Sequence, residues 1–566
     1  MTVNRTAAQA VVEALAAEGV EFVFGLAGTH VLHIFDALIE QSYIRHVVTK
    51  HENSASLMAG MYGRLTGRPG VAVVTAGPGA VNSLSGVAQA YACASPMIHI
   101  SGTVPLGAHK ESFHGVDKDD FLYKMFLDVT KWSVRVERPQ DVPEIMSRAF
   151  TVAITGRPGP VHIEIPEDVL GADPVEMPAY HRQAPPPIAL GENLVADVAD
   201  LLWEAEHPVI CAGKGVLAHR ATEQLAALAD VMSAPVIFPY DARGVISTLH
   251  PLCVGSFTPW RDEPLVGDLI ALADMILAVG LRADTEIANN LVRRTKAQIA
   301  HIGFDDETAG GPWEGAAIST LVDCRLFLEK LVAAVRTRGQ RDGAAVRKKI
   351  AEYQLALQRG FQAIWDEYRD QKPVHFGLVV AELGARLRDD AIVVGGVGKH
   401  DIWGRQILPI RHPFSHIKEG SWGTMGSELP GAIVAKLIFP ERQVIALTGD
   451  GSFLMSCNDF CTAMEVGANI IIFILNDSGY GTIKWLQEQR FGRTYGTELW
   501  APNFAQFAES FGAAGVRVED PHDLPDAVQQ AMILAEKTPV IVDIVSDSYP
   551  VLRSGEIAER ATDLDS

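Results

Sequence analysis

The stretch RQVIALTGDGSFLMSCNDFCTAMEVGANIIIFILNDSGYG, residues 442–481, constrains the fold of this chain more than any other segment. It holds two apolar, strand-like runs that end in aspartate-containing turns, with a helix-like segment between them. Because parallel strands end at the same edge of an open sheet, Asp450 and Asp477 are predicted to lie close together there. Either turn alone would be an ordinary strand exit. Their pairing favours a site of two carboxylates and a loop carbonyl, which suits magnesium beside a phosphate on a helix N-terminus.

Strand-then-turn units of the same kind recur along the whole chain. Examples are GVAVVTAGPG, HPVICAGKGV and DDAIVVGGVGKH, and HRQAPPP at 181–187 interrupts the pattern as an extended linker. We therefore predict an α/β fold of three doubly wound parallel-sheet domains. The predicted domains span 1–180, 188–338 and 369–550, and an acidic tail follows over 551–566.

The charge balance limits the partners of the chain. The formal net charge is -21, from 48 basic and 69 acidic residues, which argues against nucleic acid and an anionic membrane surface as partners. The six cysteines form no CxxC pair and are interpreted as buried thiols in a reducing cytosol. The N-terminus lacks the long apolar core of a signal peptide, so we expect a cytoplasmic protein.

The 442–481 segment resembles the GDG…NN signature of thiamine-diphosphate enzymes, with Asp477 in place of the final asparagine. The resemblance covers essentially the entire chain and is closest to acetolactate synthases, through GTMG, GDGSF and RFGRTYGTELWAPNFAQFAESFGA. It implies pyrimidine-binding, central and diphosphate-binding domains in that order, with thiamine diphosphate and Mg²⁺ as cofactors. It also implies Asp450, Asp477 and the main chain of Gly479 as metal ligands, and at least a homodimer, expected to be a homotetramer.

Glu52, in the segment KHENSASLMAGMYGRLTG, opens an alanine-rich apolar helix directly after a strand. Taken alone, a capping role with His51 would explain it. The segment is similar to the one that supplies the activating glutamate of thiamine-diphosphate enzymes. That glutamate holds a proton at the aminopyrimidine ring nitrogen, and apolar neighbours favour such proton sharing.

Other motifs match segments that contact the cofactor in this family. GGVGKHDIW resembles the VGQH segment near the diphosphate, with Lys399 in place of glutamine. SWGTMGSELPGA carries the apolar methionine that bends the cofactor, and TAGPGAVN resembles the glycine-rich loop near the pyrimidine. The cofactor-contacting residues implied by the resemblance are Thr75, Gly398, Lys399, His400, Gly423, Met425, Gly449, Gly451, Ser452, Asn476, Tyr480 and Gly481.

The match to acetolactate synthases fails where substrates meet the cofactor. The segment FGLAGTH places His30 where acetolactate synthases have a small residue, and similar histidines are found in benzaldehyde lyases. The segment SFHGVD places His114 where acetolactate synthases have glutamine. Both histidines are candidate catalytic residues, because histidine exchanges protons near neutral pH. The candidate substrate-contacting residues are Thr29, Ile483, Trp485 and Leu486.

The expected reaction is carbon–carbon bond ligation or cleavage on 2-oxo acids or 2-hydroxy ketones. Acetolactate synthase-like decarboxylating carboligation of pyruvate, a transferase reaction, is the first expectation. A benzaldehyde-lyase-like aldehyde carboligase is the first alternative, and a 2-hydroxyacyl-CoA lyase or oxalyl-CoA decarboxylase-like enzyme is another. A cofactor-binding but inactive scaffold or regulatory subunit is the alternative from a different class. FAD in the central domain stays open on GKGV at 213–216, without clear motifs elsewhere.

Overall fold

The computed structural model describes residues 2–108, 112–118, 120–186, 190–257, 263–282, 286–304, 313, 315–418, 420–547 and 554–563. These residues form three parallel sheets with flanking helices, as the predicted α/β class requires. The division at 1–180, 188–338 and 369–550 stays a prediction. No described helix is both long and apolar enough to cross a membrane.

The first domain contains a six-stranded parallel sheet, whose inner strands are almost entirely buried, and a short antiparallel pair. Its strands are β1 (Thr2–Arg5), β2 (Phe22–Gly25), β3 (Arg45–Val48), β4 (Gly70–Val74), β5 (Met97–Thr103), β6 (Trp132–Arg135), β7 (Pro160–Pro166) and β8 (Val175–Pro178). Its helices are α1 (Ala7–Ala17), α2 (Leu32–Leu38), α3 (Glu52–Thr66), α4 (Pro78–Ala92), α5 (Phe121–Phe126), α6 (Val142–Ile154) and α7 (Glu167–Leu170). The strand order is β3-β2-β4-β5-β7-β6, while β1 pairs antiparallel with β8. Every residue of β5 and β7 is buried, including polar residues such as His99 and Glu164, so both strands are covered on both faces.

The central domain repeats this architecture. Its strands are β9 (Pro208–Ala212), β10 (Val236–Pro239), β11 (Cys253–Phe257), β12 (Met275–Val279), β13 (Gln298–Gly303) and β14 (Ile318–Leu321). Its helices are α8 (Leu194–Glu204), α9 (Gly215–Ala218), α10 (Thr222–Met232), α11 (Pro264–Leu272), α12 (Glu286–Arg294) and α13 (Cys324–Arg336). The sheet order is β11-β10-β9-β12-β13-β14, all parallel. A long helix, α14 (Ala344–Tyr368), then leads to the third domain.

The third domain carries the opening motif. Its strands are β15 (Val374–His375), β16 (Ile392–Gly395), β17 (His416–Ile417), β18 (Val444–Gly449), β19 (Ile471–Asn476), β20 (Ala514–Val518) and β21 (Val540–Asp547). Its helices are α15 (Phe376–Arg386), α16 (Lys399–Ile407), α17 (Glu428–Ile438), α18 (Asp450–Phe453), α19 (Phe460–Val466), α20 (Gly481–Phe491), α21 (Phe504–Ser510) and α22 (Leu524–Leu534). The parallel order is β15-β21-β19-β18-β16-β17, and β20 also pairs with β21. Of the predicted acidic tail, 551–553 and 564–566 lie outside the described residues, and α23 (Ser554–Asp563) packs on α14.

The strand orders place a crevice at one edge of two of the sheets. In the third domain the chain leaves β16 for β17 on one side and returns to β18 on the other, so the order reverses between β16 and β18. The first domain reverses in the same way between β2 and its neighbours β3 and β4. Open α/β sheets bind ligands at such points, outside the carboxyl ends of the strands. The predicted site residues follow these strands.

One hydrophobic core joins the first and third domains. Helix α3 packs on α17, and buried residues of both helices belong to a single cluster that includes Met58 and Ile433. The contact is close, because a Cβ on Gly431 would lie 2.8 Å from the Cε of Met61. The central domain has a separate core of its own.

Candidate active site

Asp450 lies where the sequence predicts, at the carboxyl end of β18. Its carboxylate is 1% exposed and accepts hydrogen bonds from the backbone N–H groups of Gly451 (2.8 Å) and Gly479 (3.0 Å). Burial and, second, the nearby Asp477 carboxylate raise the pKa of Asp450 to about 7. A divalent cation between these two carboxylates would offset their repulsion, and oxygen ligands of this kind suit Mg²⁺. Within the described part of the chain, no three His, Cys, Asp or Glu side chains gather as a metal site.

A cavity opens over this edge of the third sheet. It gathers most of the residues proposed from the sequence for cofactor and metal contacts. They are Gly398, Lys399, His400, Met425, Gly449, Asp450, Gly451, Ser452, Asp477, Gly479, Tyr480, Gly481 and Ile483.

Lys399 brings a positive charge into this cavity. It is the first residue of α16 and is 4% exposed. Burial lowers the pKa of Lys399 to about 8, and the carboxylate of Asp477 is the largest charge that opposes this shift. Lys399 therefore faces the extra negative charge that Asp477 adds to the site.

Glycines in the cavity wall leave room that larger residues would fill. A Cβ on Gly451 would lie 2.8 Å from the Tyr480 ring, and one on Gly449 would lie 3.4 Å from Nδ1 of His400. A Cβ on Gly398 would lie 2.6 Å from Cε1 of His400. Glycine at these turns thus lets the Tyr480 and His400 side chains pack directly against the backbone.

Four proposed contact residues of the third domain do not line this cavity. Asn476 donates its side-chain amide to Asp543 (3.0 Å) and accepts from the N–H of Ser478 (3.3 Å), so it shapes the loop from inside. Gly423 has φ +69° and lies on the loop before α17. Trp485 and Leu486 lie on α20, a helix with no buried residue. The side chain of Leu486 is 48% exposed.

Glu52 lies in the first domain, as the first residue of α3. His51, not Glu52, caps the helix: its Nδ1 accepts a hydrogen bond from the N–H of Asn53 (3.1 Å). The Glu52 carboxylate accepts from Nδ2 of Asn82 (3.0 Å). The apolar surroundings predicted for this carboxylate therefore include a polar neighbour, because the apolar side chains of α3 turn into the core instead.

The loop around Glu52 is tightly packed. A Cβ on Gly79 would lie 3.3 Å from Oε1 of Glu52 and 2.8 Å from Cγ2 of Thr75. The Thr75 hydroxyl oxygen is buried and has no hydrogen-bond partner among the described residues. A buried hydroxyl without a partner is costly, so this atom marks a place where a polar ligand would fit.

The two proposed histidines come together in the same domain. The rings of His30 and His114 are 5.2 Å apart, and Phe113 stacks on His114 at 3.9 Å. His30 is buried, and Nε2 of its ring lies 3.6 Å from a Glu167 carboxylate oxygen. Burial lowers the pKa of His30, while Glu167 opposes the shift. Thr29 precedes His30 in the 3-10 turn Thr29–Val31 that follows β2.

Glu52, Thr75 and the two histidines do not line the cavity of the third domain. Each chain thus carries two candidate half-sites, one at the carboxyl edge of the first sheet and one at that of the third.

Sequence analysis missed several residues of this region. Phe376 and Val397 line the cavity, and Glu428 is buried behind it. Phe376 gave no local signal, since it lies far from the motifs in sequence. Glu428 gave one: it is a charged residue directly before the apolar segment LPGAIVA, residues 429–435.

The GKGV segment of the central domain has structural reasons for its glycines. A Cβ on Gly213 would lie 2.2 Å from the carbonyl oxygen of Gly280, and one on Gly215 would lie 2.5 Å from the Phe304 ring. Lys214 donates to the carbonyl of Ala92 (2.9 Å). FAD binding therefore stays a prediction that these glycines do not support.

Comparison with known proteins identifies the family. Three family profiles match in order: thiamine pyrophosphate enzyme, N-terminal TPP binding domain (5–122), central domain (195–331) and C-terminal TPP binding domain (396–544). Thiamine pyrophosphate is another name for thiamine diphosphate. The two TPP binding profiles cover the two domains that carry the half-sites.

Similar proteins match over almost the full length. The chain is 31% identical to a probable acetolactate synthase large subunit of Methanocaldococcus jannaschii, over 96% of this chain and 92% of that protein. It is 31% identical to the acetolactate synthase large subunit of Haemophilus influenzae and 29% identical to the acetolactate synthase isozyme 3 large subunit of Escherichia coli. Both alignments cover 98% of this chain and 97% of the relative. The predicted fold class and cofactor family are therefore confirmed, and the chain belongs to the thiamine pyrophosphate enzyme family.

Proposed function

We propose that this enzyme performs acetolactate synthase-like decarboxylating carboligation of pyruvate, with thiamine diphosphate and Mg²⁺. The observation that carries the proposal is the full-length similarity to acetolactate synthase large subunits at about 30% identity. The proposal also fits a chain whose activating glutamate and metal-binding carboxylates are all present, which an inactive scaffold or regulatory subunit would not need.

The residues of the third domain fit the diphosphate and its metal. Asp450 and Asp477 are a carboxylate pair whose repulsion a Mg²⁺ ion would offset, with the Gly479 carbonyl as the proposed third protein ligand. Backbone N–H groups of the GDGS turn, with Lys399 and His400, would bind the diphosphate oxygens. Met425 would support the bend between the two rings of the cofactor.

The residues of the first domain fit the pyrimidine. Thiamine diphosphate, when bound, supplies a nucleophilic carbon that can attack a carbonyl and accept the electrons released on decarboxylation. We propose that Glu52 holds a proton at the pyrimidine ring nitrogen, while Asn82 orients its carboxylate through the 3.0 Å hydrogen bond. The Thr75 hydroxyl, which has no partner among the described residues, would contact the same ring.

His30 and His114 would handle protons at the substrate oxygen. Burial keeps His30 mostly neutral near pH 7, so its ring can accept a proton. The stacked histidines also favour a second candidate, a benzaldehyde-lyase-like aldehyde carboligase, because acetolactate synthases have other residues at both positions. Thr29, Ile483, Trp485 and Leu486 are the proposed substrate-contacting residues.

We propose at least a homodimer, and a homotetramer by family resemblance. In the family that this chain resembles, the pyrimidine and diphosphate ends of the cofactor are held by different subunits, so we expect the Glu52 half-site of one copy to meet the Asp450 half-site of another. Exposed apolar side chains near the cavity, such as Ile483 (50% exposed) and Trp422 (54%), fit coverage by a second copy. A cytoplasmic location is part of the same proposal.

The test is product analysis by NMR after incubation with pyruvate, thiamine diphosphate and Mg²⁺. The parent should form acetolactate, Glu52→Gln should lose it, and Glu40→Gln, an exposed glutamate of the same domain, should keep it. No pyruvate turnover by cofactor-loaded protein would refute the acetolactate proposal. Aromatic aldehydes would then test the second candidate.

A further inference from the structure

Glu428 is a buried carboxylate that the reaction proposed above does not use. It is the first residue of α17 and is 1% exposed. Both of its carboxylate oxygens accept from the hydroxyl of Ser452, at 2.8 and 3.0 Å. A buried carboxylate costs free energy of folding unless neighbouring groups donate hydrogen bonds to it, so the groups around Glu428 are expected to interact with it.

The Ser452 hydroxyl joins two loops of the candidate site. Its oxygen accepts a hydrogen bond from the N–H of Gly426 (2.8 Å), and its proton is given to Glu428. Gly426 follows Met425, and Ser452 lies two residues after Asp450. The hydroxyl is thus committed inside the protein. Ser452 can contact a diphosphate through its backbone N–H, while its side chain fixes the Met425 loop to the Asp450 loop.

The second neighbour of Glu428 is His400. Nε2 of the His400 ring lies 3.7 Å from Oε1 of Glu428, and both side chains are almost fully buried. The opposite edge of the ring, at Nδ1, faces the turns of Gly398 and Gly449 that line the cavity. Gly396 leaves the space for this arrangement, because a Cβ there would lie 1.7 Å from Oε1 of Glu428.

We propose that Glu428 is a positioning residue for the diphosphate half of the cofactor, acting through the Ser452 hydroxyl and the His400 ring. The inference rests on the proposed function, in which His400 and the GDGS turn contact the diphosphate. The carboxylate attracts Nε2–H of His400, which turns Nδ1 toward the cavity. The hydrogen bond from Ser452 holds the GDGS backbone in the conformation that presents its N–H groups.

A purely structural role is the competing explanation, since an acidic residue in the first turn stabilises any helix through its dipole. The two roles differ in what they change. Loss of a helix-stabilising charge lowers the melting temperature and leaves ligand affinity alone. Loss of a positioning residue weakens every ligand that carries the diphosphate.

The experiment compares Glu428→Gln with Glu18→Gln in the full-length chain. Glutamine keeps the size of the glutamate side chain and removes its charge. Glu18 is a matched control in the first domain: its side chain is 7% exposed and accepts a hydroxyl hydrogen bond from Tyr180. Calorimetry with Mg²⁺ present gives the dissociation constants of thiamine diphosphate and of inorganic pyrophosphate, which has no rings.

We expect Glu428→Gln to weaken both ligands by roughly tenfold to hundredfold, since hydrogen bonds to charged groups carry that much free energy. Glu18→Gln should leave both dissociation constants unchanged. At saturating thiamine diphosphate, Glu428→Gln should retain most of its turnover, so the effect lies in cofactor affinity. Ser452→Ala should also weaken both ligands, and its effect should not add to that of Glu428→Gln. Ser452→Ala carries the test if Glu428→Gln does not fold.

Unchanged pyrophosphate affinity in Glu428→Gln would refute the inference, whatever its melting temperature. Weakening of thiamine diphosphate alone would refute it as well, because the effect would then reach the rings and not the diphosphate. A parent protein that binds neither ligand would instead overturn the cofactor contacts of the proposed function.

Discussion

The carboxylate pair at the ends of β18 and β19 predicts an unusual response to a neutralising substitution. In the metal-free protein, burial and Asp477 raise the pKa of Asp450 from 3.8 to about 7. An acid with a raised folded pKa destabilises the fold once it ionises. The penalty therefore begins as pH rises above 3.8 and is complete above about 7.

The magnitude follows from the shift. About three pKa units correspond to roughly 4 kcal/mol of lost stability at pH 8. Asp450→Asn removes this penalty, but one amide oxygen replaces two carboxylate oxygens, so the N–H of Gly451 or Gly479 loses its acceptor. That loss costs about 2 kcal/mol. The neutral variant should thus gain about 2 kcal/mol without metal at pH 8, or roughly 4–8 °C in the melting temperature of a domain of this size.

The assay is thermal unfolding monitored by circular dichroism, with chelator or with Mg²⁺ and thiamine diphosphate. With chelator the variant should melt above the parent at pH 8. The difference should nearly vanish at pH 5, where the remaining penalty of about 1.6 kcal/mol roughly equals the cost of the lost hydrogen bond. With Mg²⁺ and cofactor the order of the two melting temperatures should reverse, because only the parent keeps both carboxylates that are proposed to bind the metal. Asp459→Asn, a buried aspartate of the same domain that is no proposed ligand, should show no reversal. A metal-free Asp450→Asn that melts at or below the parent at pH 8 would refute the reasoning.

Two further predictions concern the cavity and the histidines. Lys399→Gln should weaken thiamine diphosphate binding measured by calorimetry. In the double variant with Asp477→Asn, the change in binding free energy should differ from the sum of the single changes by about 1 kcal/mol, since the lysine offsets the aspartate charge. Additive changes would show that the two charges act independently. Gly102→Ala should displace His30, because the new Cβ would lie 2.6 Å from the Cβ of His30. The variant should turn over more slowly, and its free energy of unfolding should fall by about 1–3 kcal/mol. Gly191→Ala, whose Cβ would meet only Leu194 at 3.7 Å, is the matched control, and unchanged turnover in Gly102→Ala would contradict the placement of His30.

Local sequence was enough to predict the positions of the principal carboxylates. Asp450 follows a buried strand and Glu52 opens a helix, as their apolar flanks and turn glycines indicate. The start of α1 was also readable: Thr6 and Gln9 form a capping box, so the helix begins at Ala7 and the preceding residues form β1.

Features that depend on distant contacts were beyond the sequence. The pairing of β1 with β8 joins four-residue strands about 170 positions apart, and no local pattern selects such a partner. The carboxylate of Glu428 meets Ser452 only because α17 crosses the end of β18. The polar contact of Glu52 with Asn82 likewise arises from the packing of α3 on α4.

The core shared by the first and third domains has a consequence for synthesis on the ribosome. Helix α3 is complete at Thr66, but its packing partner α17 begins only at Glu428. At about 5–20 residues per second, the intervening chain takes roughly 20–70 seconds to translate. During that time α3 can pack on α4 and β4 of its own domain, but the surface around Met61 that contacts α17 has no cover from that helix. This part of the shared core therefore stays open on the nascent chain until the last domain emerges.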